Sequence, residues 1–169
     1  MPSRYDPDKH HRRSIRLRGY DYSTAGAYFI TIGTQHHAHL FGSVADGAIC
    51  LSAAGAMIEQ QWHALPARFP SVAPDAWVVM PNHVHAIVWL RGDSTVTLGA
   101  VIGAFKSLTT NAYSAGVDAQ GWPPFDRRLW ERDYYEHIVR NEQERARIST
   151  YIEQNPARWG SKTGADDDQ

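Results

Sequence analysis

Cysteine is nearly absent: Cys50 is the single one in 169 residues. No internal disulfide framework can therefore hold the chain, and a lone thiol suits a reducing compartment. Long apolar runs are missing too. Stretches such as Ala86 to Leu90 fall far short of the roughly 20 residues that cross a bilayer. The opening "MPSRYDPDKHHRRSIRLRG" carries charge but no apolar segment behind it, unlike a secretory leader. Net charge is also small, 17 Lys and Arg against 18 Asp and Glu. A cytoplasmic protein with no membrane partner is the expectation. Hydrophobic content of 43% and charged content of 21% match ordinary globular usage, and the length suits one domain with a proper core.

The balance of charge hides a segregation. Residues 1–18 hold Arg4, Lys9, Arg12, Arg13, Arg16 and Arg18 against Asp6 and Asp8. Asp166, Asp167 and Asp168 lie at the far end. The expected organisation is a basic arm over residues 1–26, a single domain over 27–160 and an acidic, disordered tail over 161–169. A basic arm of this kind either is simply solvated or contacts phosphates, releasing condensed counterions.

Between the ends, "AYFITIGTQ" (Ala27 to Gln35) is β-branched and aromatic and predicts a first strand. Asp46-Gly47 between short apolar runs predicts a hairpin, and Ser52 is placed to cap a helix disturbed near Pro66. Trp77 to Met80 and His83 to Leu90 predict two strands broken by Pro81-Asn82. A second helix is expected over Thr97 to Gly116, then the Pro-rich loop "GWPPFDRRLW" and a short strand in "DYYEHIVR". A last helix follows, with Asn141 as N-cap, Glu142 and Glu144 in its first turn, and Pro156 as its stop. The order predicts an α+β fold, with the split β-α-β pattern of ferredoxin-like domains and an antiparallel sheet.

Two histidines, His83 and His85, sit two apart within the run "MPNHVHAIVWL". Strand side chains alternate faces, so this pair points one way and suits two ligands of one cation. Alone the spacing is a weak signal. An apolar setting sharpens it, because buried imidazoles need polar partners. On the last helix, Tyr151 and Asn155 are four apart and share a face. A lone tyrosine there is ordinarily core. A free phenol has a pKa of about 10, so a nucleophilic tyrosine needs a cation or base beside it, and an Asn amide oxygen can complete a hard cation's shell. Histidine-triad hydrolases and cupins also use alternating histidines. Ile87 stands where the first would need a third histidine, and the predicted helices speak against an all-β jelly roll.

The segments "HRRSIRLRGYDYSTAGAYFITIGTQ", "AWVVMPNHVHAIVWL", "LGAVIGAFKS" and "WERDYYEHIVRNEQERARISTYIEQNPARWG" resemble, in order, signatures of the REP-associated tyrosine transposases of the HUH endonuclease superfamily. The resemblance runs from His11 to Trp159. It implies that the last helix carries the nucleophile, Tyr151, rather than the paired Tyr134-Tyr135. It implies a divalent metal, Mg²⁺ or Mn²⁺, on His83, His85 and Asn155, and single-stranded or hairpin DNA as partner. The implied reaction is nicking and joining through a 5′-phosphotyrosine, by a monomer or homodimer. The alternative is a domesticated, non-catalytic hairpin-binding protein. Relatives often carry Gln where this chain has Glu131, which leaves a DNA contact there in doubt. Arg12, Arg13, Arg16, Arg18 and Lys106 are candidates for phosphate contacts. His137 is a candidate for orienting a ligand or touching DNA. Trp130, Tyr134 and Tyr135 would either stack on bases or fill the core, and His36, His37 and His39 are expected on a surface loop.

Overall fold

Alternation along the first strand, β1 (Gly26–Gly33), decides the layout: Tyr28, Ile30 and Ile32 are fully buried, and Phe29 and Thr31 point to the opposite face. This computed structural model describes residues 25–92 and 95–161. The basic arm with Arg12, Arg13, Arg16 and Arg18, and the acidic tail beyond Ser161, lie outside the described residues.

After β1 come the hairpin β2 (Gly42–Ala45) and β3 (Ala48–Leu51), and helices α1 (Ala53–His63) and α2 (Leu65–Arg68). Then follow β4 (Val72–Met80), β5 (His83–Leu90), α3 (Leu98–Gln120), β6 (Tyr135–Val139), α4 (Glu142–Glu153) and α5 (Asn155–Arg158). The main sheet runs β4-β5-β1-β6, with every neighbouring pair antiparallel. Two interleaved β-α-β units give that order, the ferredoxin-like arrangement expected from the sequence.

Local signals account for most boundaries. Asp46 (φ 51°) and Gly47 (φ 72°) make the two left-handed positions that a two-residue hairpin turn demands. Ser52 Oγ accepts from the Gly55 N–H at 3.1 Å, Thr97 Oγ1 from Ala100 N–H at 3.1 Å and Asn141 Oδ1 from Glu144 N–H at 2.8 Å. Each satisfies an orphan donor of a helix start.

Besides β1, which stops at Gly33 short of the expected Gln35, three boundaries differ from expectation. β4 begins at Val72, not Trp77, because it is an edge strand with an irregularity between Pro74 and Trp77, where proline removes no needed ladder bond. α3 runs past Gly116 to Gln120: a Cβ on Gly116 would sit 2.2 Å from the Trp122 ring, so this glycine permits close packing rather than stopping the helix. Pro156 does not end the helical path but lies in the opening turn of α5, where its missing N–H costs nothing.

α1 and α3 cover one face of the sheet over Ile30, Ile32, Val84, Ala86 and Val88, with Trp62 and Phe105 packed edge to face at 5.3 Å. Trp130 belongs to this core at 4% exposure, its indole N–H donating to Thr109 Oγ1 at 2.9 Å. α4 covers part of the other face, where Ile148 and Ile152 meet Ala27, Val78, Met80 and Ile87. Among the described residues, no helix is long and apolar enough to cross a membrane.

Candidate active site

The antiparallel register sets Thr31 opposite His85 and Gly33 opposite His83. Val84 and Ala86 face α1 and α3, so both histidines face the α4 side. His85 is buried at 7% exposure and His83 is half-buried. Each ring is held through Nδ1: His83 by Asn82 Oδ1 at 2.6 Å, His85 by Thr31 Oγ1 at 2.7 Å. The two Nε2 atoms then face one another at 3.0 Å. Asn82 Oδ1 can only accept, so His83 carries its proton on Nδ1 and, when neutral, turns a lone pair toward His85. The Thr31 hydroxyl can donate or accept, which lets His85 meet that lone pair with an N–H or present a lone pair of its own.

Tyr151 reaches this pair because α4 is fixed at several points. Ile148 and Ile152 bury its inner face. Arg145 Nη1 binds Asp75 Oδ2 at 2.8 Å, and the same oxygen accepts the Trp89 indole N–H at 3.0 Å. Burial works against the Asp75 carboxylate, but Trp89, Arg145 and the Ala76 N–H outweigh it and hold the pKa below its ordinary value. The Tyr151 ring lies 5.4 Å from His85 and edge-on to Phe29 at 6.2 Å. Phe29 in turn stacks on His85 at 5.6 Å. Asn155, 6% exposed, lines the same cavity of about 760 Å³. The four side chains singled out from sequence thus share one open cleft, though the sequence separates His85 from Tyr151 widely.

Other expectations fare differently. Lys106 is engaged within the chain: its ammonium donates to the carbonyls of Glu131 (2.9 Å) and Arg132 (3.3 Å) and lies 5.4 Å from the Tyr134 ring centre. It ties α3 to the segment before β6, a use that sequence charge alone cannot distinguish from ligand binding. His137 lies outside the histidine cleft and is held by Glu144 Oε1 at 2.7 Å. The Arg140 N–H, then His137, keep the Glu144 carboxyl below the usual range. His36 and His37 are exposed in a 3-10 turn, as expected, yet His37 reaches the cleft rim 3.8 Å from Glu131. Glu131 also lines the cleft, its carboxylate over Gly33.

Three contributors escaped the sequence reading. Thr31 was legible only through the strand pairing that sets it beside His85. Arg158 continues the spacing of Tyr151 and Asn155 at i+7 and lines the cleft. Trp159 lies 5.9 Å from His83 and 5.5 Å from His39, closing the end of the site beyond α5.

The chain is similar to several known proteins. Residues 72–155 match the family described as "Transposase IS200 like", a span holding both histidines, the tyrosine and the asparagine. An uncharacterized protein of Haemophilus influenzae is 33% identical over 179 residues, covering 94% of this chain and 96% of the relative. Among solved structures, a REP-associated tyrosine transposase bound to a REP hairpin superposes with a TM-score of 0.64 at 22% identity, over 86% of this chain and 74% of that one. A protein of Deinococcus radiodurans R1 described as a transposase gives 0.50 at 19% identity, over 82% and 95%. With that family match spanning the histidine strand and the tyrosine helix, this chain belongs to the IS200-like transposases.

Proposed function

We propose that the protein nicks and rejoins single-stranded DNA bearing a hairpin, with Tyr151 as nucleophile and a divalent metal on His83, His85 and Asn155. The observation that carries this reading is the convergence of Tyr151 on two imidazoles whose Nε2 atoms face each other at 3.0 Å. Two imidazole nitrogens and an amide oxygen are a donor set that would suit a divalent ion such as Mg²⁺ or Mn²⁺, and imidazole favours the latter. Such an ion, when bound, supplies Lewis-acid polarisation of the scissile phosphate and charge stabilisation at the departing 3′-oxygen.

The chain's own residues do the rest. Thr31 and Asn82 fix the two rings through Nδ1, the outer-shell orientation that metal-binding histidines require. α4 holds Tyr151 over the cleft, and its Oη attacks phosphorus in line. The Oη–P bond forms as the P–O3′ bond breaks. The phenolic proton passes to solvent and the 3′-oxygen takes one up. The 5′-phosphotyrosine keeps the phosphodiester energy, so a 3′-OH reverses the step and joins ends without ATP. All four side chains come from one chain, so a monomer carries a whole site.

The test is cleavage of hairpin oligonucleotides taken from DNA flanking the gene, with Mn²⁺ or Mg²⁺. Wild-type protein forms a covalent adduct, Tyr151→Phe forms none while retaining hairpin binding, and His83→Ala loses metal-dependent cleavage. Hairpin binding by the wild type with no adduct would instead favour the non-catalytic binding reading.

A further inference from the structure

We propose that a second cavity, on the other side of Tyr151, stacks the nucleotide lying 3′ of the scissile phosphate on the ring of Tyr135. This rests on the reading of Tyr151 as nucleophile and deepens it.

The cavity measures about 720 Å³ and is lined by Phe29, Tyr135, His137, Arg147, Gln154 and Arg158 among others. Tyr135, Tyr151 and Arg158 line the histidine cleft as well. Tyr151, with Tyr135 and Arg158, thus forms the ridge that the two basins share, and a strand crossing it would run from one to the other. In the attack described above, the oxygen that leaves belongs to the 5′-side nucleotide, and the nucleotide retained on Tyr151 is the 3′-side one. The histidine cleft receives the departing oxygen, so the retained nucleotide passes over the ridge into the second basin.

The second basin has the chemistry to hold an unpaired base. Of the aromatic residues before and at the start of β6, Trp130 is core and Tyr134 is half-buried beside Lys106. Tyr135 is 40% exposed among the described residues, so its ring is open to a partner. Its ring is braced edge-on by Phe29 at 5.9 Å, and Phe29 is itself locked against His85 and Tyr151. A braced aromatic face is the stacking platform single-stranded nucleic acid binds, indifferent to which base arrives. The polar wall suits a nucleotide too. Glu144 is hydrogen-bonded to His137 at 2.7 Å and lies 3.7 Å from Arg147, whose side chain is 77% exposed and in reach of a phosphate.

The experiment uses the full chain and a hairpin oligonucleotide whose cleavage site has been mapped. 2-Aminopurine replaces, in turn, the nucleotide on each side of the scissile phosphate, and an abasic site replaces the 3′ one in a matched oligonucleotide. The expected result is quenched fluorescence at the 3′ nucleotide in the wild-type adduct, kept by Tyr135→Phe and relieved in Tyr135→Leu, which retains bulk against Phe29. Tyr135→Leu should weaken binding about 5- to 150-fold, the loss of one stacked base at about 1–3 kcal/mol, and the loss should vanish on the abasic oligonucleotide. Adducts that form normally with the same fluorescence in Tyr135→Leu, or quenching only at the 5′ nucleotide, overturn this inference and leave the nucleophile standing. No adduct from wild-type protein overturns the nucleophile and this inference with it.

Discussion

Replacing Asp75 by Ala should loosen the helix that carries Tyr151, although Asp75 lies on the far edge strand. The change removes the Arg145 contact at 2.8 Å and the Trp89 indole bond at 3.0 Å, and leaves Arg145 paired with Glu142 alone. Hydrogen bonds to charged groups contribute about 1.5–3 kcal/mol, whereas exposed ion pairs contribute about 0–1 kcal/mol. The side chains of Asp75 and Arg145 are 25% and 28% exposed, so a cost of about 1–2 kcal/mol is the reasoned figure. For a domain of this size that lowers Tm by about 3–6 °C. Asp118→Ala, an exposed control on α3, should shift it by far less. Hydrogen exchange should localise the loss to α4, and an Asp75→Ala, Arg145→Ala cycle should show coupling of about 1 kcal/mol. The pH dependence has a definite sign. A carboxyl held below its ordinary value of 3.8 contributes fully above that value and loses its contribution as pH falls through the lowered one. The gap between wild type and variant should therefore be constant near neutrality and close in acid, below pH 3.8. A Tm shift equal to that of Asp118→Ala, or zero coupling, would refute the clamp.

Two shorter predictions bear on the site and the scaffold. Thr31→Val keeps the shape beside His85 but removes the oxygen on its Nδ1; the Mn²⁺ concentration supporting cleavage should rise about 10- to 100-fold, and an unchanged titration would remove Thr31 from the site. Gly55→Ala would put a Cβ 2.1 Å from the Phe41 carbonyl oxygen and should lower stability by about 1–3 kcal/mol in urea. Gly103→Ala on α3, where a Cβ meets nothing within 4 Å, should raise stability by about 0.5–1 kcal/mol; equal effects would contradict the packing described.

What the sequence discloses follows the range of each physical signal. The β-branched and aromatic run of β1, the caps at Ser52 and Asn141 and the Asp46-Gly47 turn are local, and all appear in the structure where the residues put them. Pro156 was misread because proline's effect depends on context: a first helical turn tolerates it. For the site, strand period brought His83 and His85 to one face, and helical period did the same for Tyr151 and Asn155. Nothing local joins the two pairs. Their meeting depends on α4 docking on the sheet face opposite α1 and α3, through Ile148, Ile152 and the Asp75 clamp. Lys106 shows the converse: its charge was visible, but its partners within the chain, two backbone carbonyls far along the sequence, were not. Tyr135 was one of three aromatics with the same sequence credentials as a stacking residue, and only burial separated it from Trp130 and Tyr134.

The central claim, that Tyr151 covalently takes the DNA beside a histidine-bound metal, is tested most directly by isolating the protein–DNA adduct and mapping the nucleotidylated peptide by mass spectrometry. The account predicts a 5′-phosphate on Tyr151 alone, formed only with Mg²⁺ or Mn²⁺ present. A nucleotide on Tyr134, Tyr135 or any other residue, or an adduct that forms equally in chelator, would contradict it.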